Sequence, residues 1–423
     1  MTVTVPTVGG SRNVWWDILN DAFASITGGT YYATDYGAVA DGSTDNADAF
    51  ADLAAAVNAV PNTDGTPVTV AFPASDTGAS YVYSDGLTFE RPVILQGRAT
   101  LDYTGTGYAV KLGPDGLTDS TYTLHKHYEV HGLTFTGGAS QTHGIYVNDH
   151  IVAPVLDNVK FIEFGNATGF GVFFQADNWF ADMHRCKWFT PSGAPPRNWV
   201  KTHGFSTAGV WDGGACRLVM SKCIATNLGG RGVGVWVNGY DSQLERNVIE
   251  GFGPCVRVGP RALGTVLEAN YFETIDITDS DCIIEYGDVT GGVDEALHVN
   301  NLKVLNNYAH VHNADSINVD AYFMGETQSN AGLQNARVEN NHILGNDAAR
   351  EMVRQSTTKT GQTGNMARGN YGPPIVHTTG GSISAWRSDT YTATAVATVV
   401  GARPAYDEAG NLLGYTPIYS SYS

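Results

Sequence analysis

One short phrase recurs through the middle of this chain and narrows its possible folds more than any other feature. It consists of an apolar residue, two variable residues, Asn or Lys, one variable residue and a second apolar residue. Leu244-Glu-Arg-Asn-Val-Ile-Glu250, Leu267-Glu-Ala-Asn-Tyr-Phe-Glu273 and Val338-Glu-Asn-Asn341-His-Ile are examples. Aligned copies place equivalent residues at Thr134, Lys160, Lys187, Lys222, Asn247, Asn270, Asn307, Asn341 and Asn370, with intervals of 26, 27, 35, 25, 23, 37, 34 and 29. Between them runs a second phrase, a turn residue and an alternating strand: Gly144-Ile-Tyr-Val, Gly171-Val-Phe-Phe, Gly209-Val-Trp, Gly234-Val-Trp-Val, Cys255-Val-Arg-Val and Cys282-Ile-Ile-Glu-Tyr. A period near 23–27, sometimes lengthened by about ten residues, supplies the two or three short strands and turns of one solenoid coil. A sandwich or propeller needs hairpin turns instead of one repeated turn. Asn suits that turn because stacked amides hydrogen-bond along the axis and Asn tolerates left-handed backbone. The expected fold is all-β, a right-handed single-stranded parallel β-helix with an N-terminal helical cap and a small β-rich C-terminal domain.

A solenoid also explains the composition. At 423 residues the chain exceeds one ordinary compact core, yet a solenoid lengthens its core coil by coil. Charged residues make up 16%, below the roughly 25% of a typical globular protein, as stacked interior ladders require. A net charge of −18 repels nucleic acid and anionic membranes, and no run of about 18 apolar residues exists for membrane insertion. The five cysteines, at 186, 216, 223, 255 and 282, have no C-x-x-C spacing and read as small buried apolar residues. No metal motif is recognisable, and no cofactor is expected.

Residues 14–26 place Trp15, Leu19, Ala22, Phe23 and Ile26 at helical spacing, an apolar face that needs a docking surface. Trp15-Trp16-Asp17 and Asn20-Asp21 interrupt any secretory signal, so synthesis without a classical export signal is expected. A second helix is expected from about Asp45 to Val60, with Phe50, Leu53 and Val57 on its apolar face. After Pro373-Pro374 the repeat phrases stop. Alternating strands are expected around Tyr391–Val400, with a turn at Asp407–Asn411.

The segment Asp35-Tyr-Gly37-Ala38-Val-Ala-Asp41-Gly42-Ser-Thr44-Asp45-Asn-Ala-Asp48-Ala49-Phe50 resembles the motif that opens β-helix domains of the pectate lyase superfamily, which includes many phage tailspikes. The resemblance implies a capping strand and helix here, with Gly37 and Gly42 in turns and Asp45 placed to cap the helix. The Asn-Thr-Asp segment, Asp-Asp pair, Gly-His-Gly and Arg-Ile-Lys of polygalacturonases are missing; His143-Gly144 and His203-Gly204 lack the leading Gly. A pectin-directed activity is therefore not implied. The whole pattern resembles a tailspike, which implies a homotrimer in the virion tail, released by lysis and attached to a tail or baseplate protein through the N-terminus. Four segments are expected: 1–29 for virion attachment, 30–84 as strand-and-helix cap, 85–372 as β-helix body, and 373–423 for trimerisation or secondary binding.

Candidate chemistry follows from alternation along the strands. The outward position of the strand phrase holds Tyr146, Phe173, Trp211, Trp236, Arg257 and Glu285 on successive coils. Coils stack about 4.8 Å apart, so such a row matches a sugar chain whose apolar ring faces stack on aromatic rings. Burial of the row between the subunits of a trimer is the competing reading. In the turn phrase Glu250 and Glu273 are equivalent in adjacent coils, as are Glu245 and Glu268, with Arg246 placed to neutralise charge. Carboxylates about 5 Å apart suit a retaining glycosidase, and their repulsion raises one pKa to make an acid beside a base. Glu250 and Glu273 are the proposed acid/base pair, Asp177 and Asp212 are held in reserve, and Tyr146, Phe173, Trp211, Trp236 and Arg257 are the sugar contacts. The expected function is binding and hydrolytic depolymerisation of a bacterial surface polysaccharide. The alternatives are a noncatalytic receptor-binding or structural tail protein, and an extracellular lyase using His203, Lys201 or Tyr240 as base.

Overall fold

The computed structural model describes residues 29–117, 125–138, 141–164, 169–175, 178–194, 196–202, 216–230, 232–259, 262–274, 282–287, 298–311, 321–326, 332–345, 349–356, 365–370, 376–379, 386–387, 399–406 and 412–419. The helix expected over 14–26 lies outside them.

Residues 1–387 form one compact unit and residues 388–423 another. The first unit is a solenoid of parallel strands gathered into sheets of 13, 10 and 11 strands, called A, B and C here. One coil shows the plan: Gln243–Glu245 lies in sheet A, Val248–Glu250 in sheet B and Val256–Val258 in sheet C, and Val266–Glu268 returns to sheet A. Every inward side chain therefore stacks on its equivalent in the next coil. In sheet A the register runs Val130, Leu156, Met183, Met220, Leu244, Leu267, Val304, Val338, Ala367, all buried. In sheet B it runs Phe135, Phe161, Trp188, Ala225, Ile249, Phe272. Trp188 beside Ala225 keeps the volume of successive layers level, as close packing demands.

After the first coil the corner between sheets A and B is two residues long, as in Arg246-Asn247 between Glu245 and Val248. The first residue has left-handed backbone, and the row reads Gly132, Asn158, Arg185, Lys222, Arg246, Ala269, Asn306, Asn340, Gly369. The second points inward: Leu133, Val159, Cys186, Cys223, Asn247, Asn270, Asn307 and Asn341 are all buried. From Asn247 onward these amides form a closed ladder. Asn270 Nδ2 donates to Leu244 O at 2.8 Å and Asn307 Oδ1 at 3.0 Å, and Asn307 and Asn341 repeat the pattern toward Asn370. Backbone N–H groups join in, Asn247 N donating to Asn270 Oδ1 at 3.0 Å and Cys223 N to Asn247 Oδ1 at 2.9 Å.

This corrects the sequence alignment in two ways. Thr134, Lys160 and Lys187 begin the sheet B strands, one residue past the ladder, and Lys222 sits one residue before it. Stacking and left-handed backbone are also divided between adjacent residues, because the inward amide needs a backbone that continues into the strand. Four of the five cysteines, Cys186, Cys223, Cys255 and Cys282, are buried free thiols. The side chain of Cys216 lies outside the description.

At the N-terminal end, helix Ala47–Asn58 covers the first coil and buries Phe50, Leu53, Ala54 and Val57. Phe50 packs on Phe72, Tyr81 and Tyr83 with ring centroids 5.6, 6.1 and 5.2 Å away. The residue at the helix start is Asn46, not Asp45. Asn46 Nδ2 donates to Val39, Thr44 and Val82 carbonyls, while Asp45 accepts from Ala47 N and clasps Ser84. Asp41 accepts from Ser43 N, Thr44 N and both hydroxyls, bonds that hold its carboxyl well below the usual range. The motif's acidic residues thus tie the cap together.

Parallel pairing runs past Pro373-Pro374, through Val376–Thr379 in sheet C and Trp386–Arg387 in sheet A. The second unit holds an antiparallel hairpin, Val399–Tyr406 with Leu412–Tyr419, which flanks residues 407–411.

Replacing Asn270 by Leu strands the donors of Asn247 and the carbonyl of Leu244 in the core. The expected loss is about 2–4 kcal/mol of unfolding free energy by denaturant titration, from the penalty for buried unpaired polar groups. A loss under about 1 kcal/mol would show that the amide ladder does not hold the corner.

Candidate functional site

Sheet C presents an outward column whose register is Lys111, Tyr146, Phe173, Lys201, Trp236, Arg257, Glu285. Tyr146, Phe173, Trp236 and Arg257 therefore share one face on successive coils. Lys201 takes the rung between Phe173 and Trp236 that the sequence spacing gave to Trp211. Trp211 itself lies outside the described residues, as do Asp177 and Asp212. The strand Asn198–Thr202 could have been found from its own alternation: Val200 and Thr202 are buried on the core side of the rung, and Lys201 stands 28 residues after Phe173.

The rings pack against one another in a continuous row, within which Phe170 and Phe173 are themselves buried. Tyr146 and Phe173 have centroids 5.4 Å apart, and His143 stacks on Phe173 at 4.9 Å. Phe170 lies 6.2 Å from Phe173 and 6.4 Å from Trp236, bridging the rung between them. The Lys201 ammonium stands 4.1 Å above the Trp236 ring, 5.5 Å from Phe170 and 5.7 Å from Phe173. The Arg257 guanidinium covers Trp236 at 4.9 Å. Such contacts stabilise a cation by roughly 0.5–2 kcal/mol each, which is how the column retains charge beside apolar rings.

The environment shifts the titrations. Burial, then Lys201, depresses the His143 pKa from 6.5 to about 4. Burial, then Arg257, pushes Lys201 below its ordinary range. Tyr146 is raised to about 12, chiefly by burial and then by Asp149.

The carboxylate pair stands on sheet B. Glu250 and Glu273 are directly in register, with Thr226 before them and His310 after. Thr226 Oγ1 donates to Glu250 Oε2 at 3.1 Å, and Tyr271 OH donates to Glu273 Oε2 at 2.5 Å. Burial, that hydrogen bond and the charges of Glu273 and Glu250 raise the Tyr271 phenol above its ordinary range. Tyr271 stacks on Tyr308 at 5.6 Å, and Tyr308 meets His342 edge-on at 5.3 Å. These neighbours escaped the sequence reading, although each tyrosine directly follows a ladder asparagine and alternation turns it outward. Glu245 and Glu268 are likewise in register, on sheet A. Arg246 pairs with neither; Asn306 Nδ2 reaches Glu268 at 3.4 Å. The proposed sugar contacts and the proposed acid/base pair thus occupy different sheets.

A third feature is an open groove of about 1090 Å³ that runs across the strands of sheet A near where they begin, lined by Trp179, Phe180, Arg217, Asn301, Arg337 and the candidate lyase base Tyr240 among others.

No protein-family model matches the sequence, and no curated protein is similar to it at a significant level. Solved structures do share the architecture. A point mutant of the tailspike protein of E. coli bacteriophage HK620, in complex with pentasaccharide, superposes with a TM-score of 0.59 at 12% identity, over 88% of this chain and 66% of that one. The fold is the right-handed parallel β-helix. The Streptococcus pneumoniae surface adhesin PfbA matches the β-helix with a TM-score of 0.50 at 11% identity, over 85% of this chain and 97% of that one. The chain spans just under two thirds of the HK620 tailspike's length, 66%.

His143 sets a pH dependence. Its folded pKa lies below its unfolded value, so the neutral ring contributes stability fully above pH 6.5, which is lost as pH falls toward 4. Denaturant titrations at pH 7.5 and 4.5 should differ by about 2.5 kcal/mol more for the natural chain than for His143→Phe. Equal differences in the two proteins would show that His143 is not held neutral.

Proposed function

We propose that this chain is a tailspike-like protein of a virion tail that binds a bacterial surface polysaccharide along sheet C and hydrolyses it. The observation that carries the reading is the unbroken aromatic column, His143, Tyr146, Phe173, Phe170 and Trp236, with cations set on its rings. Rungs about 4.8 Å apart approximate the repeat of a sugar chain, and apolar ring faces of sugars stack on such surfaces. The fold shared with the HK620 tailspike, which was solved with a pentasaccharide, supports the same reading. Hydrolysis is assigned to Glu250 and Glu273, adjacent on sheet B at a spacing that suits a retaining pair, with Asp177 and Asp212 in reserve. A homotrimer, attachment through residues 1–29 and a binding or trimerising role for residues 373–423 belong to the same proposal.

One observation favours a second reading, a noncatalytic receptor-binding protein. The aromatic column and the carboxylate pair stand on different sheets, so a chain lying on one does not need the other.

Two measurements separate these readings. Trp236→Ala should weaken polysaccharide binding roughly tenfold or more, the scale of a lost stacking contact. Glu250→Gln and Glu273→Gln should each lower reducing-sugar release at least about a hundredfold while leaving binding intact. Full activity in both glutamine variants would overturn the assignment of the pair. Absence of any release with retained binding would establish the noncatalytic reading, and release accompanied by the ultraviolet absorbance of an unsaturated uronate would establish a lyase.

A further inference from the structure

The cations of the sheet C column differ in how their charge is balanced. Lys111 is paired with Asp115 at 2.5 Å. Arg257 grips Glu285 through Nε at 2.7 Å and a terminal nitrogen at 2.6 Å, with both side chains only 15–16% exposed. Among the described residues Lys201, between them, faces rings. No carboxylate or hydrogen-bond acceptor meets its ammonium among the described residues, and its three cation–π contacts are its polar partnerships. The nearest titratable ring, His143, is held neutral and supplies no negative charge.

A half-buried ammonium without a counter-charge is costly, because rings replace only part of its lost hydration. Folding would be better served by Met or Leu at this rung if the surface were only a stacking platform. The cost is recovered when an anion arrives. An incoming carboxylate or phosphate would complete at Lys201 the pairing that Asp115 and Glu285 already provide to Lys111 and Arg257, farther along the column in either direction. The overall charge of −18 repels anionic polymers at long range, so a lysine left unpaired at one rung acts as a local selector rather than as a general attractant.

We infer that Lys201, walled by Phe170, Phe173 and Trp236, is a subsite for one acidic substituent of the bound polysaccharide, a carboxylate or a phosphate on the sugar that lies over this rung. This rests on the carbohydrate-binding reading above and gives that ligand its chemical class. Flanking stacking contacts hold the sugar rings while the ammonium reads the charge, so neutral chains of the same shape bind more weakly.

The test applies the full chain to an array of purified capsular and O-antigen polysaccharides, half acidic and half neutral. The strongest binders should be acidic. Lys201→Met should cut their affinity at least tenfold with no loss in melting temperature, and Lys201→Arg should keep most of it. Carbodiimide and borohydride reduction of the bound glycan removes carboxylates, and aqueous hydrofluoric acid removes phosphates; the treatment that abolishes binding identifies the group. Binding confined to neutral glycans, or unchanged in Lys201→Met, overturns the acidic subsite and leaves the carbohydrate reading standing. Failure to bind any glycan on the array overturns both.

Discussion

The amide ladder at the corner of sheets A and B is the interaction on which the rest depends. Each inward asparagine accepts from one coil and donates to the next, so one coil cannot slip against another without stranding several buried polar groups. That fixed register turns a one-dimensional repeat into aligned columns. From Asn247 onward the carboxylates on sheet B and the apolar stacks within follow from it. In the N-terminal coils Leu133, Val159, Cys186 and Cys223 occupy the same position, and there packing rather than hydrogen bonding holds the register. The thiols form a transition: Cys186 N donates to Cys223 Sγ at 3.3 Å, and Cys223 N to the first amide.

Placing charge beside apolar rings works because the two sides of the solenoid wall meet different demands. Inward positions must fill space, and their identities are narrowly limited. Outward positions need only tolerate a strand, so Lys111, Lys201, Arg257 and Glu285 can stand in one line with Tyr146, Phe173 and Trp236. The energetic burden of a half-buried ammonium is carried by a core that owes it nothing in packing.

Much of this was legible in the sequence. The period, the turn, the parallel coils, the helical cap and the pairing of Glu250 with Glu273 all follow from residue types at fixed spacing. The failures share a cause. Thr134, Lys160, Lys187 and Lys222 were aligned with the ladder because a two-residue corner places left-handed, inward and strand positions side by side, and one residue of drift exchanges their roles. The rung of Lys201 is missed because Asn198-Trp-Val-Lys201 has no leading glycine. Of the companions of the carboxylates, Tyr271 shares the strand of Glu273, while Tyr308 and His310 lie on the next coil, where three-dimensional register brings them alongside.

The three corners of the coil do not share the same freedom. Between sheets A and B every described coil from Val93–Gly97 onward spends two residues, whether at Arg185-Cys186 or at Asn340-Asn341, while the first coil spends residues 73–80. An inserted residue there would displace a left-handed backbone position and an inward side chain at once. The corner from B to C is free of that rule: Glu250 leads to Val256 through Gly251-Phe-Gly-Pro-Cys255, while Thr274 leads to Cys282 through a longer stretch. The A–B corner is in this sense the spine of the molecule. Drift in chain length can accumulate at the other corners, beside the columns, so a lineage can remodel what its surface recognises while the spine remains unchanged.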